Sequence, residues 1–252
     1  MCDNLRGQIE KVVVDGHESL VIQAPDEVNN GNRKIRAGEV AKDQRIVDCY
    51  VHFESALSAL CHSAIEDFTS AVLAEPPLLF QRLSFIRGSN QGMHQYTAYV
   101  VVSPPMKLIA VWIALEDVTP GAGELMYVPG SHYYPEFLFG GKAKEYDGPR
   151  DGVEEHKHFE AHLAENIKSN EGDITRFLPK KGDILFWHAD LHHGGSPVVN
   201  QQATRHSIVG HYTGKSCIPN YYNFAPQRSK TLRYVAEISC EHACPLYGLH
   251  RA

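Results

Sequence analysis

The chain has 252 residues, of which 43% are hydrophobic and 21% charged, with a formal net charge of −6. That is enough chain to bury one large core. Its acidic balance excludes an electrostatic footprint for nucleic acid or an anionic membrane. No apolar run reaches membrane-span length.

In chain order, KVVV (11–14) and SLVIQ (19–23) predict a short hairpin around Asp15-Gly16, and VNNGNRK (28–34) predicts a loop. Over 48–74 the spacing of Leu57, Leu60, Ala64, Ile65, Phe68 and Val72 predicts one helix, ended by Pro76-Pro77. LLFQRLSFI (78–86), YTAYVVV (96–102), LIAVWIAL (108–115) and ELMYVPG (124–130) then read as strands, broken by RGSN, SPP and PGAG turns. GDILFWHA (182–189) and TRHSIVGHY (204–212) form a second strand group. Residues 133–180 between the groups are irregular and charged, with a helix expected over 154–167; an insertion of that length suits a lid or a disordered loop. Short strands without a βαβ rhythm imply a mainly β sandwich or jelly roll with flanking helices. One domain is expected over 1–252: an N-terminal helical flank (1–77), a β core (78–212) with the insertion 133–180, and a C-terminal segment (213–252).

The start, MCDNLRGQIEK, lacks the apolar core of a signal peptide, and the expectation is a cytoplasmic chain. Cys2, Cys49, Cys61, Cys217, Cys240 and Cys244 are scattered and read as reduced thiols. Cys240, His242 and Cys244 have no second Cys/His pair at finger-like spacing, so their grouping reads as incidental.

Chemistry concentrates in GMHQYTAYV (92–100) and LHHGGS (191–196). A His and a carboxylate two residues apart on one strand share a face. Joined by a distant His, they hold Fe(II) from one side and leave positions open. His94 opens that pattern, and His192 and His193 are candidates for the distant partner. Position 96, however, is Tyr96. Arg205, twelve residues after His193, can grip a carboxylate bidentately, with Ser207 adding a hydroxyl from the same face. A literal His-x-Asp also occurs at His188 and Asp190, which His211 can in principle complete. It lies too close to His193 to supply the second arm of a triad, and its members read as structural. His192 is expected to point away from His193, into solvent. HKHFEAH (156–162) reads as a solvated helix face, and the GSH at 130–132 as a turn.

FQRLSFIRGSNQGMHQYTAYV, VWIALEDVTPGAGELMYVPGSH and GDILFWHADLHHGGSPVVNQQATRHSIVGHY resemble three successive blocks of the phytanoyl-CoA dioxygenase family, in order and in spacing, over about 78–212. The resemblance implies a double-stranded β-helix (jelly roll, cupin-like) and an Fe(II)/2-oxoglutarate-dependent dioxygenase using O2. It assigns His94 and His193 as metal ligands and catalytic residues, Arg205 as the 2-oxoglutarate anchor, and Trp112 and Gln81 as lining of the cosubstrate pocket. The implied reaction oxidises a small-molecule substrate, usually to a hydroxylated product, while 2-oxoglutarate becomes succinate and CO2.

Tyr96 departs from the family's His-x-Asp. A phenol oxygen stands farther from the backbone than a carboxylate oxygen, and with an ordinary pKa near 10 it needs the metal itself to generate the anion. Tyr96 also fills the space that a halogenating relative leaves for chloride. A working oxygenase with Tyr96 at the ligand position, a non-catalytic descendant that keeps the 2-oxoglutarate pocket, and a substitution introduced into an ordinary enzyme all accommodate the pattern.

Overall fold

The computed structural model describes residues 1–23, 32–38, 44–219, 230–235 and 238–243. Helix α1 (Cys2–Asp15) buries Leu5, Ile9 and Val12 at helical spacing. It runs through the 11–14 segment expected as a strand, because the packing of that face outweighs the β preference of three consecutive valines. The other half of the expected hairpin is β1 (His17–Gln23), which pairs with β2 (Asn32–Ile35) on one side and β3 (Arg45–Val47) on the other. The predicted loop at 28–34 thus ends inside β2, and residues 28–31 lie outside the described residues.

The helix expected over 48–74 is two: α2 (Glu54–Leu60) and α3 (Ser63–Leu73). They are separated at Cys61-His62, where the His62 ring caps α3 by accepting from the Ala64 N–H at 3.2 Å. The break rotates the buried face. Leu57, Leu60 and Ile65 stay inside, Thr69 and Leu73 replace the rest, and Phe68 and Val72 are 42% and 58% exposed.

The strand core follows with β4 (Pro77–Phe85), β5 (Val102–Ser103), β6 (Leu108–Ala114) and β7 (Leu125–Tyr127). Helix α4 (Gly148–Ser169), kinked at Gly152, organises the insertion over a longer span than its apolar spacing suggested. Then come β8 (Thr175–Phe177), β9 (Ile184–His188), β10 (His193–Gly195), β11 (Ser207–Gly214), β12 (Ile218–Pro219), β13 (Lys230–Val235) and β14 (Ile238–Ala243). Cys240 and His242 fall on β14, and Cys244 lies outside the described residues.

Among the described residues the large sheet runs β2-β1-β3-β4-β11-β6-β9, with β14 also joining β4, and a small sheet runs β10-β7-β8. From β4 onward the chain crosses repeatedly between the two, which is the winding of a double-stranded β-helix. Strand alternation sorts the large sheet's residues onto two faces. Ile22, Ile46, Ile113 and Ile208 face the layer formed by α1, α2 and α3. Val21, Val47, Leu83, Trp112, Val209 and Trp187 face inward and meet Leu125 and Phe177 of the small sheet. At about 25 cal/mol per Å² of buried apolar surface these two layers supply the main favourable term of the fold. Cys2, Cys49 and Cys217 are free thiols. No helix among the described residues is long and apolar enough to cross a membrane.

Candidate metal centre

His94 stands alone between the 87–93 loop and a 3-10 turn, yet it is fixed by the start of β10. Its N–H donates to the His193 carbonyl at 2.8 Å, and the His193 N–H donates back to the His94 carbonyl at 3.0 Å. Residues directly opposite in an antiparallel bridge point the same way, and the two ring centroids lie 4.2 Å apart. The glycines after His193 are needed for this approach: a Cβ on Gly194 would come within 2.8 Å of the Gly92 carbonyl oxygen.

Each ring is held by the same device. His94 Nδ1 lies 2.9 Å from the Gly92 carbonyl and His193 Nδ1 lies 2.8 Å from the Leu191 carbonyl, so each Nδ1–H donates to a carbonyl two residues earlier. That fixes the tautomer and leaves both Nε2 lone pairs bare. His193 Nε2 is buried without a hydrogen-bond partner. Burial pushes the His94 pKa down to about 4, assisted by the Arg45 guanidinium, and burial then His94 hold His193 well below the usual range. Both rings are therefore neutral at physiological pH, the state a metal requires.

Tyr96 comes beside them by a different route from the expected strand. Over 96–102 the chain forms a 3-10 turn, Tyr96–Ala98, and only then the short β5. The Tyr96 N–H donates to the Ala189 carbonyl at 2.9 Å, and the Val100 N–H closes the turn on the Tyr96 carbonyl. Bonding to the end of β9 takes precedence over the strand preference of YTAYVVV. The Tyr96 ring is edge-on to His193 at 4.4 Å and to His211 at 4.7 Å. Burial raises its phenol above the ordinary pKa, and the guanidiniums of Arg45 and Arg205 only partly oppose this. The hydroxyl is a neutral one.

Arg205, two residues before the start of β11, is 2% exposed. One terminal nitrogen donates to the Gly123 carbonyl at 2.9 Å, and the guanidinium carbon lies 5.4 Å from the Phe85 ring centroid and 5.8 Å from that of Trp112. Burial lowers its pKa to about 10, so it stays charged at neutral pH. His94, Tyr96, His193, Arg205, Trp112 and Gln81 all line one cavity of about 740 Å³. Ser207 is fully buried but does not line it.

The remaining histidines correct several expectations. His192 is fully buried rather than exposed: its N–H donates to Ser131 Oγ at 2.8 Å and its ring meets Tyr134. His188 accepts the Asp190 N–H at 3.1 Å. Asp190 ties Lys144 at 2.5 Å and the Thr97 hydroxyl at 2.5 Å, which pins the turn carrying Tyr96. Neither His188 nor Asp190 lines the cavity, whereas His211 does. The alternative site built from those three is not assembled: among the described residues no three His, Cys, Asp or Glu side chains converge as metal ligands. In α4 the expected solvated face is partly turned inward, since His156 lines the cavity and its Nε2 hydrogen-bonds the Tyr99 hydroxyl at 2.7 Å. Sequence reasoning missed this contact and also Arg45, which reaches the cavity from β3. An Arg beside two β-branched residues in a three-residue strand gave no spacing signal.

By donor chemistry, a first-row divalent metal fits the two bare imidazole nitrogens, and the group packed beside them is a neutral phenol. The double-stranded β-helix is shared with solved structures of low sequence identity. It is similar to the non-heme alpha ketoglutarate dependent epimerase SnoN from nogalamycin biosynthesis (TM-score 0.60, 15% identity, 86% of this chain and 74% of that one). It is also similar to EctD from S. alaskensis (TM-score 0.57, 16% identity, 84% of this chain and 66% of that one).

The family model "Phytanoyl-CoA dioxygenase (PhyH)" matches residues 2–207, and this chain belongs to that family. It is 27% identical over 129 residues to the human peroxisomal phytanoyl-CoA dioxygenase and 28% identical over 133 residues to the rat protein. Each match spans 51% of this chain but only 35% of the relative.

Proposed function

We propose that this protein is an Fe(II)/2-oxoglutarate-dependent oxygenase that hydroxylates a small molecule, with a two-histidine iron site in which Tyr96 replaces the carboxylate. The observation that carries this reading is the pair of neutral imidazoles, His94 and His193, each tied through Nδ1 and presenting Nε2 to the same cavity. SnoN has been crystallised with Fe3+ and alpha ketoglutarate, and EctD with 2-oxoglutarate and 5-hydroxyectoine; we carry the metal and the cosubstrate over to this chain.

When bound, the iron supplies the redox chemistry that couples O2-driven decarboxylation of 2-oxoglutarate to oxidation of a substrate C–H bond. The chain's own groups bind and orient. His94 and His193 hold the cation, and Arg205 receives the distal carboxylate of 2-oxoglutarate on a buried, charge-assisted fork. Trp112 and Phe85 fix the plane of that guanidinium, and Gln81 lines the same wall. Tyr146, just before α4, and His156 and Glu160 on α4 line the cavity wall, where they limit water.

Losing an anionic ligand weakens the site for a dication, so in this reading 2-oxoglutarate and metal bind with strong mutual dependence. The second reading, a non-catalytic protein that keeps the 2-oxoglutarate pocket, is favoured by one observation: the Tyr96 phenol is neutral and packed against both His193 and His211. Aerobic incubation with Fe(II) and 2-oxoglutarate, with succinate measured by mass spectrometry, separates the two. Our reading expects slow succinate formation that His193→Ala abolishes. Intact 2-oxoglutarate binding with no succinate selects the second.

A further inference from the structure

His94 and His193 each tie one ring nitrogen to a backbone carbonyl. His211, on the same cavity wall, does not. It is fully buried, and neither its Nδ1 nor its Nε2 has a hydrogen-bond partner. Alternation along β11 turns it inward with Val209, while Ile208 and Tyr212 pack in the helix-side core. In register it stands opposite Ala110 of β6, and Ala110 stands opposite Trp187 of β9, so the three share one face across three strands. The Trp187 indole N–H is also buried without a partner, and Trp187 lines the cavity too.

The small Ala110 side chain leaves a trough between the His211 and Trp187 rings. Tyr96 fills it: its ring centroid lies 4.7 Å from that of His211 and 5.6 Å from that of Trp187. Burying an imidazole and an indole without partners is a cost that hydrocarbon side chains at the same positions avoid. A neutral imidazole has one N–H and one lone pair, and an indole has a donor alone. Together they call for a group that both accepts and donates. A hydroxyl does both, an ammonium gives the indole nothing to bond, and a hydrocarbon satisfies neither ring. About 13 Å of strand separates His211 from Ser207, and Arg205 lies two residues further back. The row between them holds Leu83, Val209 and Trp112. A 2-oxoglutarate molecule running from Arg205 to the metal leaves the trough to a second molecule.

We propose that the trough between His211 and Trp187 binds a hydroxyl group of the substrate, admitted when Tyr96 turns toward His94 and His193. The substrate is accordingly an alcohol at the end held there. The turn of Tyr96 rests on its proposed place as third ligand, and the experiment keeps that reading apart from the role of His211.

The chain has two tryptophans, so the full-length protein labelled with the heavy nitrogen isotope shows two indole N–H peaks by NMR, which Trp187→Phe assigns. Benzyl alcohol, benzyl methyl ether (which accepts but cannot donate) and toluene are titrated into protein holding Zn(II) and 2-oxoglutarate. The expected result is that benzyl alcohol moves the Trp187 peak and binds at least fivefold more tightly than toluene, with the ether between them. His211→Phe removes the preference, and His211→Gln, which keeps a donor and an acceptor, retains part of it. In both variants 2-oxoglutarate affinity stays within about twofold. Tyr96→Ala uncovers the trough without any turn and binds benzyl alcohol more tightly, still in dependence on His211. Equal or absent binding of alcohol and toluene in both the wild-type protein and Tyr96→Ala overturns the proposal. So does a His211→Phe variant that loses 2-oxoglutarate and keeps the alcohol preference, since His211 is then a cosubstrate residue. A His211-dependent preference in Tyr96→Ala that the wild-type protein lacks supports the trough, while the turn of Tyr96 onto the metal falls.

Discussion

His94 and His193 are joined twice through the backbone, and each ring is braced by the carbonyl two residues before it. Ninety-nine positions apart in the chain, they reach the same cavity with the same tautomer. A core histidine satisfying its own polar atoms has no need of a matched partner 4.2 Å away. In the proposed reading, a cation between them accounts for both the pairing and the bare Nε2 of His193.

Tyr96→Asp places an anionic group beside the two imidazoles, at the position proposed for the third ligand. Metal affinity should rise by about a hundredfold or more, read by anaerobic titration with Fe(II). The same change removes a partly buried ring packed among His193, His211 and Trp187, so unfolding stability should fall by roughly 1–3 kcal/mol. A gain in metal affinity alongside a loss of stability is the signature expected here; unchanged metal affinity would falsify the placement of residue 96 at the ligand position.

Arg205→Met should reduce 2-oxoglutarate affinity by roughly ten- to a hundredfold, the worth of a buried charge-assisted hydrogen bond. Metal affinity measured without 2-oxoglutarate should stay within about twofold. Arg205→Lys keeps the charge but not the planar fork and should fall between the two. Titration of the visible band of the Fe(II)–2-oxoglutarate complex measures all three.

Acid should unfold the protein through its buried histidines. In the unfolded chain they protonate near 6.5, whereas burial holds His211 to about 3 in the fold. Above 6.5 the ring is neutral in both states and stability does not change on its account. As pH falls below 6.5 the unfolded state takes up a proton that the native state refuses, so stability drops, by up to about 1.4 kcal/mol per pH unit for each such group. His211→Phe should lose less stability than the wild-type protein between pH 7 and pH 5, as judged by urea midpoints. Parallel curves would remove His211 from the account.

Asp190→Ala breaks a buried carboxylate's contacts with Lys144 and Thr97. The expected cost is about 2–3 kcal/mol, because Lys144 is partly exposed. Thr97→Val should cost only about 1 kcal/mol. Since the Thr97 contact anchors the turn that positions Tyr96, Asp190→Ala should also weaken metal binding several-fold, which a remote stability defect would not do.

The sequence disclosed the parts of the fold where one signal acts alone. Dense β-branched and aromatic runs marked β4, β6, β9 and β11, and the histidine pair followed from residue type and block order. It failed where a long-range contact outweighed a local preference. The valines of 11–14 are helical because Leu5, Ile9 and Val12 share a buried face. YTAYVVV is mostly a turn because its amides bond to Ala189. His192 is buried because Ser131 of a distant turn receives its N–H. Arg45 enters the cavity from a three-residue strand, and no spacing within that segment points to the metal site.

Anaerobic calorimetric titration with Fe(II) on the wild-type chain, His94→Ala and His193→Ala tests the central claim most directly. The account predicts one equivalent bound by the wild-type protein, tightened by 2-oxoglutarate and weakened at least tenfold in either variant. Wild-type affinity in both alanine variants, or an affinity that 2-oxoglutarate leaves unchanged, would contradict it.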